Sequence, residues 1–127
     1  LGFGREAVRG RRPAIIYVSV SAYGRTGPGA DLAGYDPLVQ AYSGLVKTTG
    51  HADGEPARVG GSVNDLGTGM WAAMGVMAAL RHRDQTGDGT IVDASLLDTS
   101  LNWMCYHLTG YLSTGQAPRR MGTSLAL

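Results

Sequence analysis

The sequence predicts an α/β layer with a mostly parallel sheet, and three observations carry that reading. Ala14–Ser21 (A-I-I-Y-V-S-V-S) and Thr90–Ser95 (T-I-V-D-A-S) are short runs rich in β-branched residues, as expected of buried strands. An Ala-, Met- and Leu-rich stretch ending in Arg81, His82 and Arg83 lies between them, with the composition of a helix and cations at its C-terminal end. The order strand, helix, helix, strand, helix is that of a layer in which helices carry the chain between parallel strands.

Each element has its own signal. Arg5, Arg9 and Arg12 recur at helical spacing near the start, a basic stripe that reads as a solvated face, and Pro13 stops that helix. Tyr23–Gly34 holds four glycines and a proline and reads as a loop. Tyr35–Tyr42 reads as a short helix with Pro37 in its first turn. Leu45–Thr49 reads as a short strand, His51–Arg58 as a turn-rich connection, and Val59–Asn64 as a further extended piece. The long helix is expected from Asp65 or Thr68 to Arg83. It is apolar nearly all round over Met70–Leu80, which implies burial on several sides or an interface with a partner subunit. Gln85–Gly89 reads as a tight turn, Leu96 or Leu97 to about Ser113 as a last helix, and Gln116–Leu127 as an irregular tail.

Composition narrows the function. The chain has 127 residues, the size of one modest domain. Eleven Lys+Arg balance ten Asp+Glu, so no basic field suggests nucleic acid or an anionic membrane. The single cysteine, Cys105, excludes an internal disulfide framework and a multi-cysteine metal site. The weakly polar run Leu66–Leu80 is too short to span a bilayer. A start at Leu1 with no leader reads as an internal piece of a longer, soluble, cytoplasmic protein. Twenty glycines without a repeat mean many tight turns in a folded domain. There is no G-x-S-x-G elbow, no phosphate-binding G-x-x-x-x-G-K-[ST], and no H-x-x-x-H pair among His51, His82 and His107.

Two readings compete for Val59–Ala72, V-G-G-S-V-N-D-L-G-T-G-M-W-A. One takes Gly67, Gly69 and Ala72 as a G-x-G-x-x-A dinucleotide fingerprint, with Asp93 as the ribose-binding acid. The polar Asn64 and Asp65 count against it, standing where a buried strand should be apolar. The other puts the weight on Asp65. At a helix start it is either an N-cap or a nucleophile, with glycines leaving room for an acyl group and nearby N–H groups available to a developing oxyanion.

Here the sequence resembles the family III CoA-transferases, a group that includes acyl-CoA racemases. The resemblance runs from about Pro13 to Gly122. It rests on I-I-Y-V-S-V-S-A-Y-G-R-T-G-P at Ile15–Pro28, G-Y-D-P-L-V-Q-A-Y-S-G-L at Gly34–Leu45, V-N-D-L-G-T-G-M at Val63–Met70, A-A-L-R-H-R-D-Q-T-G-D-G at Ala78–Gly89 and V-D-A-S-L-L-D at Val92–Asp98. It implies that residues 1–127 are a fragment of a Rossmann-like large domain with mostly parallel strands and flanking helices. It also implies that Asp65 is the catalytic aspartate, forming covalent acyl and CoA intermediates, and that Tyr35 stands beside the CoA thioester. Ala33 and Leu96 fall at positions that flank CoA, Ala33 where a relative has lysine. The racemases carry histidine where this chain has Tyr35, so one racemase base is absent. The implied activity moves CoA from an acyl-CoA donor to a carboxylic acid acceptor, with coenzyme A as the carried group, no metal, and an interlocked homodimer as the assembly. An acyl-CoA racemase or epimerase is the alternative within enzymes, and a non-catalytic dinucleotide-binding module the alternative from another class.

Overall fold

The computed structural model describes residues 2–124. Eight elements follow in order: α1 (Arg5–Arg11), β1 (Tyr17–Ser21), α2 (Asp36–Tyr42), α3 (Leu45–Thr48), α4 (Val63–Thr86), β2 (Ile91–Ser95), α5 (Leu96–Trp103) and α6 (Cys105–Thr114). β1 and β2 pair in parallel, Tyr17 opposite Ile91 through to Ser21 opposite Ser95. The helices α2 and α4 lie between them in sequence, so the α/β reading holds. α1 is tied to the sheet by Arg5, which approaches the Asp93 carboxylate at 3.8 Å, and by Arg9, whose Nη2 donates to the Gly89 carbonyl at 3.5 Å. Two arginines of the predicted solvated stripe therefore hold the helix in place.

The strands are shorter and more open than their composition predicts. Val18 and Val20 are exposed, Val20 at 55%, because β1 alternates partly buried and exposed residues. Buried apolar residues instead gather where the two strands exit. Ala22, Val39 and Leu96 form a cluster, with Tyr23 and Leu97 packed against it.

Three further expectations are corrected. Leu45–Thr49 is no strand, because its residues form the single turn α3. Gly44 precedes it with φ +91°, and the hydroxyls of Thr48 and Thr49 both donate to the Leu45 carbonyl at 2.9 Å, bonds made within the chain rather than across to another strand. Val59–Asn64 is no strand either: residues 59–62 are irregular, and Val63 and Asn64 already belong to α4. The predicted last helix is broken at Met104, the buried residue between α5 and α6, whose N–H bonds to the carbonyls of both Ser100 and Asn102. The irregular tail from Gln116 is seen as far as Ser124, and residues 125–127 lie outside the described residues.

The long helix α4 runs 24 residues and overshoots the predicted end, Arg83, by one turn; it stops at Gly87, whose φ of +81° and N–H bond to the Arg83 carbonyl close it. Its contacts with the sheet and α5 need small residues. A side chain at Gly67 would meet Trp103 at 2.5 Å and Thr99 at 2.7 Å, and one at Gly75 would meet Val92 at 2.6 Å. Thr68 and Thr99 share a buried hydroxyl hydrogen bond of 2.8 Å across the same contact. The opposite side of α4 is open: Leu66, Met70, Met74 and Met77 are all more than half exposed. Burial on several sides, expected for Met70–Leu80, is therefore not found among the described residues.

The start of α4 is fixed from outside the helix. Asp36, in the first turn of α2 and 1% exposed, accepts the N–H of Asn64 at 2.7 Å and that of Asp65 at 3.3 Å with one carboxylate oxygen. Its other oxygen accepts from Gln40 Nε2 at 2.5 Å. Gln40, also fully buried, accepts the Val59 N–H at 2.9 Å and lies within 3.4 Å of the Val59 and Gly61 carbonyls. Two side chains of α2 thus anchor both the glycine-bearing loop and the first turn of α4. The donors left free at a helix start are met by a buried anion.

Two substitutions test this packing in the full-length protein that contains the chain. Gly67→Ala forces a methyl into Trp103 and Thr99 and should cost about 1–3 kcal/mol, read as a lowered denaturation midpoint with unchanged slope. Asp36→Ala strips the acceptor from two helix amides and from Gln40 and should cost at least about 1.5–3 kcal/mol. Asp36→Asn, which keeps the shape, should fall between the two proteins in the same melt.

Candidate functional site

Asp65 sits in the first turn of α4, three residues after the boundary residue Ser62. It is therefore not the N-cap. Its side chain is exposed and makes no hydrogen bond or ion pair among the described residues. The capping that the sequence offered as its structural role is performed by Asp36 instead. What remains is a carboxylate with no structural task, on a backbone fixed by a neighbour's buried anion, at the positive end of a long helix.

The same joint brings in Tyr35. It precedes Asp36 directly and is the boundary residue of α2, in extended backbone. Its ring is 62% exposed. The residue after Tyr35 thus bonds the backbone of Asp65, although 30 positions separate Tyr35 and Asp65 in sequence. Gly34 lets this segment lie against the exit of β1, since a side chain there would meet the Ala22 Cβ at 2.7 Å and the Tyr23 ring at 2.8 Å. This accounts for the glycine of G-Y-D by close approach.

The other two predicted residues are placed differently. Ala33 is exposed on the loop before Tyr35. Leu96 is buried in the apolar cluster with Ala22 and Val39, so its side chain packs the strand exits. Of the two glycines after Asp65, Gly67 faces α5, and only Gly69 faces open space. The amides expected to hold an oxyanion are also spoken for: Asn64 and Asp65 N–H go to Asp36, and Leu66 N–H to the Ser62 carbonyl. A developing negative charge near Asp65 must find its donors elsewhere.

Sequence reasoning missed Asp36 and Gln40. Their signal was present: an Asp at the head of a short helix with Gln four residues on, one turn apart on the same face. What could not be read was their partner, the start of a helix 28 positions away.

The dinucleotide reading fails on this geometry. A fingerprint glycine belongs in a strand-to-helix turn, whereas Gly67, Gly69 and Ala72 all lie inside α4 with irregular chain before it. Asp93 faces Arg5. A cavity of about 330 Å³ between α4, β2 and α5, lined by Trp71, Val92, Ser95 and Asp98 among others, includes Asp93 but none of Asp65, Tyr35, Ala33 and Leu96. Among the described residues no group of three His, Cys, Asp or Glu side chains is close enough to hold a metal ion, and no helix is long and apolar enough to cross a membrane.

Comparison with known proteins agrees with the motifs. Residues 1–126 match the family described as CoA-transferase family III. Acetyl-CoA:oxalate CoA-transferase of Acetobacter aceti is 42% identical over 96% of this chain and 32% of its own length. Succinate–glutarate CoA-transferase of Agrobacterium fabrum is 38% identical over 97% of the chain and 31% of its own. Among solved structures, a CAIB/BAIF family protein from Brucella suis superposes with a TM-score of 0.89 at 35% identity, over 95% of this chain and 32% of that one. The chain thus spans about a third of the length of the relatives it matches, and it belongs to CoA-transferase family III.

Proposed function

We propose that the chain is the nucleophile-bearing part of the large domain of a CoA-transferase, and that Asp65 carries the reaction. The observation that supports this most is the division of labour at the start of α4: Asp36 does the capping and leaves the Asp65 carboxylate exposed and unbonded.

The reaction proceeds by covalent exchange. The Asp65 carboxylate attacks the carbonyl carbon of the donor thioester, the C–S bond breaks, and CoA leaves as thiolate, giving a mixed anhydride. The thiolate attacks the Asp65 carbonyl of that anhydride, releases the donor acid as its carboxylate, and leaves an aspartyl-CoA thioester. The acceptor carboxylate attacks this thioester and forms a second anhydride, again freeing CoA thiolate. Attack of the thiolate on the acceptor carbonyl yields the new acyl-CoA and restores Asp65. Tyr35 serves beside the thioester, with its hydroxyl directed to charge that develops in the transition state, while Ala33 and the backbone at Leu96, whose side chain packs inward, flank CoA. Oxalate, succinate and glutarate, the acids in the names of the two curated relatives, are all dicarboxylates, and we take a dicarboxylic acid as a substrate here. The same reading makes the full-length protein an interlocked, cytoplasmic homodimer whose reaction uses no metal.

Asp65→Ala tests the nucleophile. Wild-type full-length protein, incubated with acyl-CoA and treated with hydroxylamine or borohydride, should carry a mass change on the peptide containing Asp65. The variant should lose both the mark and all transfer while melting within about 0.5 kcal/mol of wild type, as for a surface side chain with no partner. A correctly folded, active variant would refute the mechanism, and exchange of the substrate α-proton with solvent deuterium in place of a mark would identify a racemase. For Tyr35→Phe we expect kcat to fall more than CoA binding weakens. Steady-state kinetics and a CoA titration check this, and equal losses in both would remove the hydroxyl from the transition state.

A further inference from the structure

Resting on the transferase reading, we infer that Arg58 is the specificity residue that holds the non-reacting carboxylate of a dicarboxylic acid while the other carboxylate exchanges with Asp65. Arg58 stands at the head of the glycine-bearing loop that runs into α4, and its side chain is exposed. Its Nη1 folds back on that loop, 3.0 Å from the Val59 carbonyl and 3.4 Å from the Gly60 carbonyl. Its Nε and Nη2 have no partner among the described residues, and no carboxylate among them lies within ion-pair distance. The guanidinium is therefore tethered by one nitrogen, with the edge that matches a carboxylate bidentately left open.

The other arginines make the contrast. Arg120 uses Nε, Nη1 and Nη2 on the carbonyls of His51, Lys47 and Gly54, so its donors are spent on folding a loop. Arg119 and Lys47 line a cavity of about 510 Å³ that already contains Asp53. Arg58 instead stands on the loop that the buried joint ties to the start of α4. Val59, against which it lies, is bonded to Gln40, Gln40 to Asp36, and Asp36 to the Asp65 amide. Only two side chains, both fully buried, separate the arginine's loop from the helix start that presents Asp65. The two ends of that relay are exposed and of opposite charge.

The test is competitive transfer by the full-length protein to succinate and to butyrate, acids of equal length that differ by one carboxylate. Arg58→Gln should lower the preference for succinate, as a ratio of kcat/KM, by roughly 10- to 100-fold, the effect of losing a charge-assisted hydrogen-bond pair. Arg58→Lys, which keeps the charge without the fork, should lie between. Arg58→Glu should shift preference toward 4-aminobutyrate. Equal losses for both acids would overturn the inference in favour of a loop-holding role, and a loss confined to CoA affinity in a direct titration would overturn it in favour of a phosphate contact. Should Arg58→Gln not fold, an unchanged ratio in Arg58→Lys would overturn it as well. If wild type forms the Asp65 thioester and the ratio does not move, only the arginine inference falls. If no thioester forms, the transferase reading falls and takes the arginine with it.

Discussion

A single buried carboxylate organises this part of the protein. Asp36 is held out of water by α2 and α4, and an ionised carboxylate is tolerated there only where donors surround it. It has three: two amides from the first turn of α4 and the side-chain amide of Gln40. A helix start leaves unpaired N–H groups, and a buried anion needs such groups. Each solves the other's problem, and the two helices are fixed in register as a result. Leu96, Val39 and Ala22 then close over the neighbouring strand exits.

This arrangement takes the capping task away from the first turn of α4 itself. Capping residues are usually Ser, Thr, Asp or Asn at the helix boundary itself, and here the boundary residue Ser62 makes no side-chain cap. Had Asp65 filled that role, its oxygens would have been turned back on its own helix. With Asp36 supplying the acceptor from another helix, Asp65 stays exposed while its main-chain N–H is bonded. A group that must approach a substrate closely gains from a supporting backbone that does not move.

The sequence made the elements legible where local pattern decides them. β1, β2, α2 and the body of α4 follow from β-branched runs, a proline in a first turn, and a long Ala- and Met-rich stretch. It misled where a distant partner decides. Leu45–Thr49 has strand composition, yet no strand lies beside it and its threonines turn inward on Leu45. Asn64 and Asp65 look like the end of an extended piece, yet a carboxylate from α2 draws them into helix. The motifs pointed to Asp65 and Tyr35, which stand on either side of the joint made by Asp36. They did not reveal that Leu96 packs inward, or that Gly67 serves the contact with Trp103.

The pairing of β1 with β2 bears on the order in which the chain assembles. Tyr17 meets Ile91 across most of the described residues, whereas Asp36 reaches Asn64 across only 28 positions. Closing a longer loop costs more chain entropy before any contact repays it. The joint between α2 and α4 is therefore the cheaper event, and it shortens the path the strands must still close. In a polypeptide emerging from its N-terminus, the support for Asp65 forms before the sheet does, and β2 docks onto a joint already made between α2 and α4.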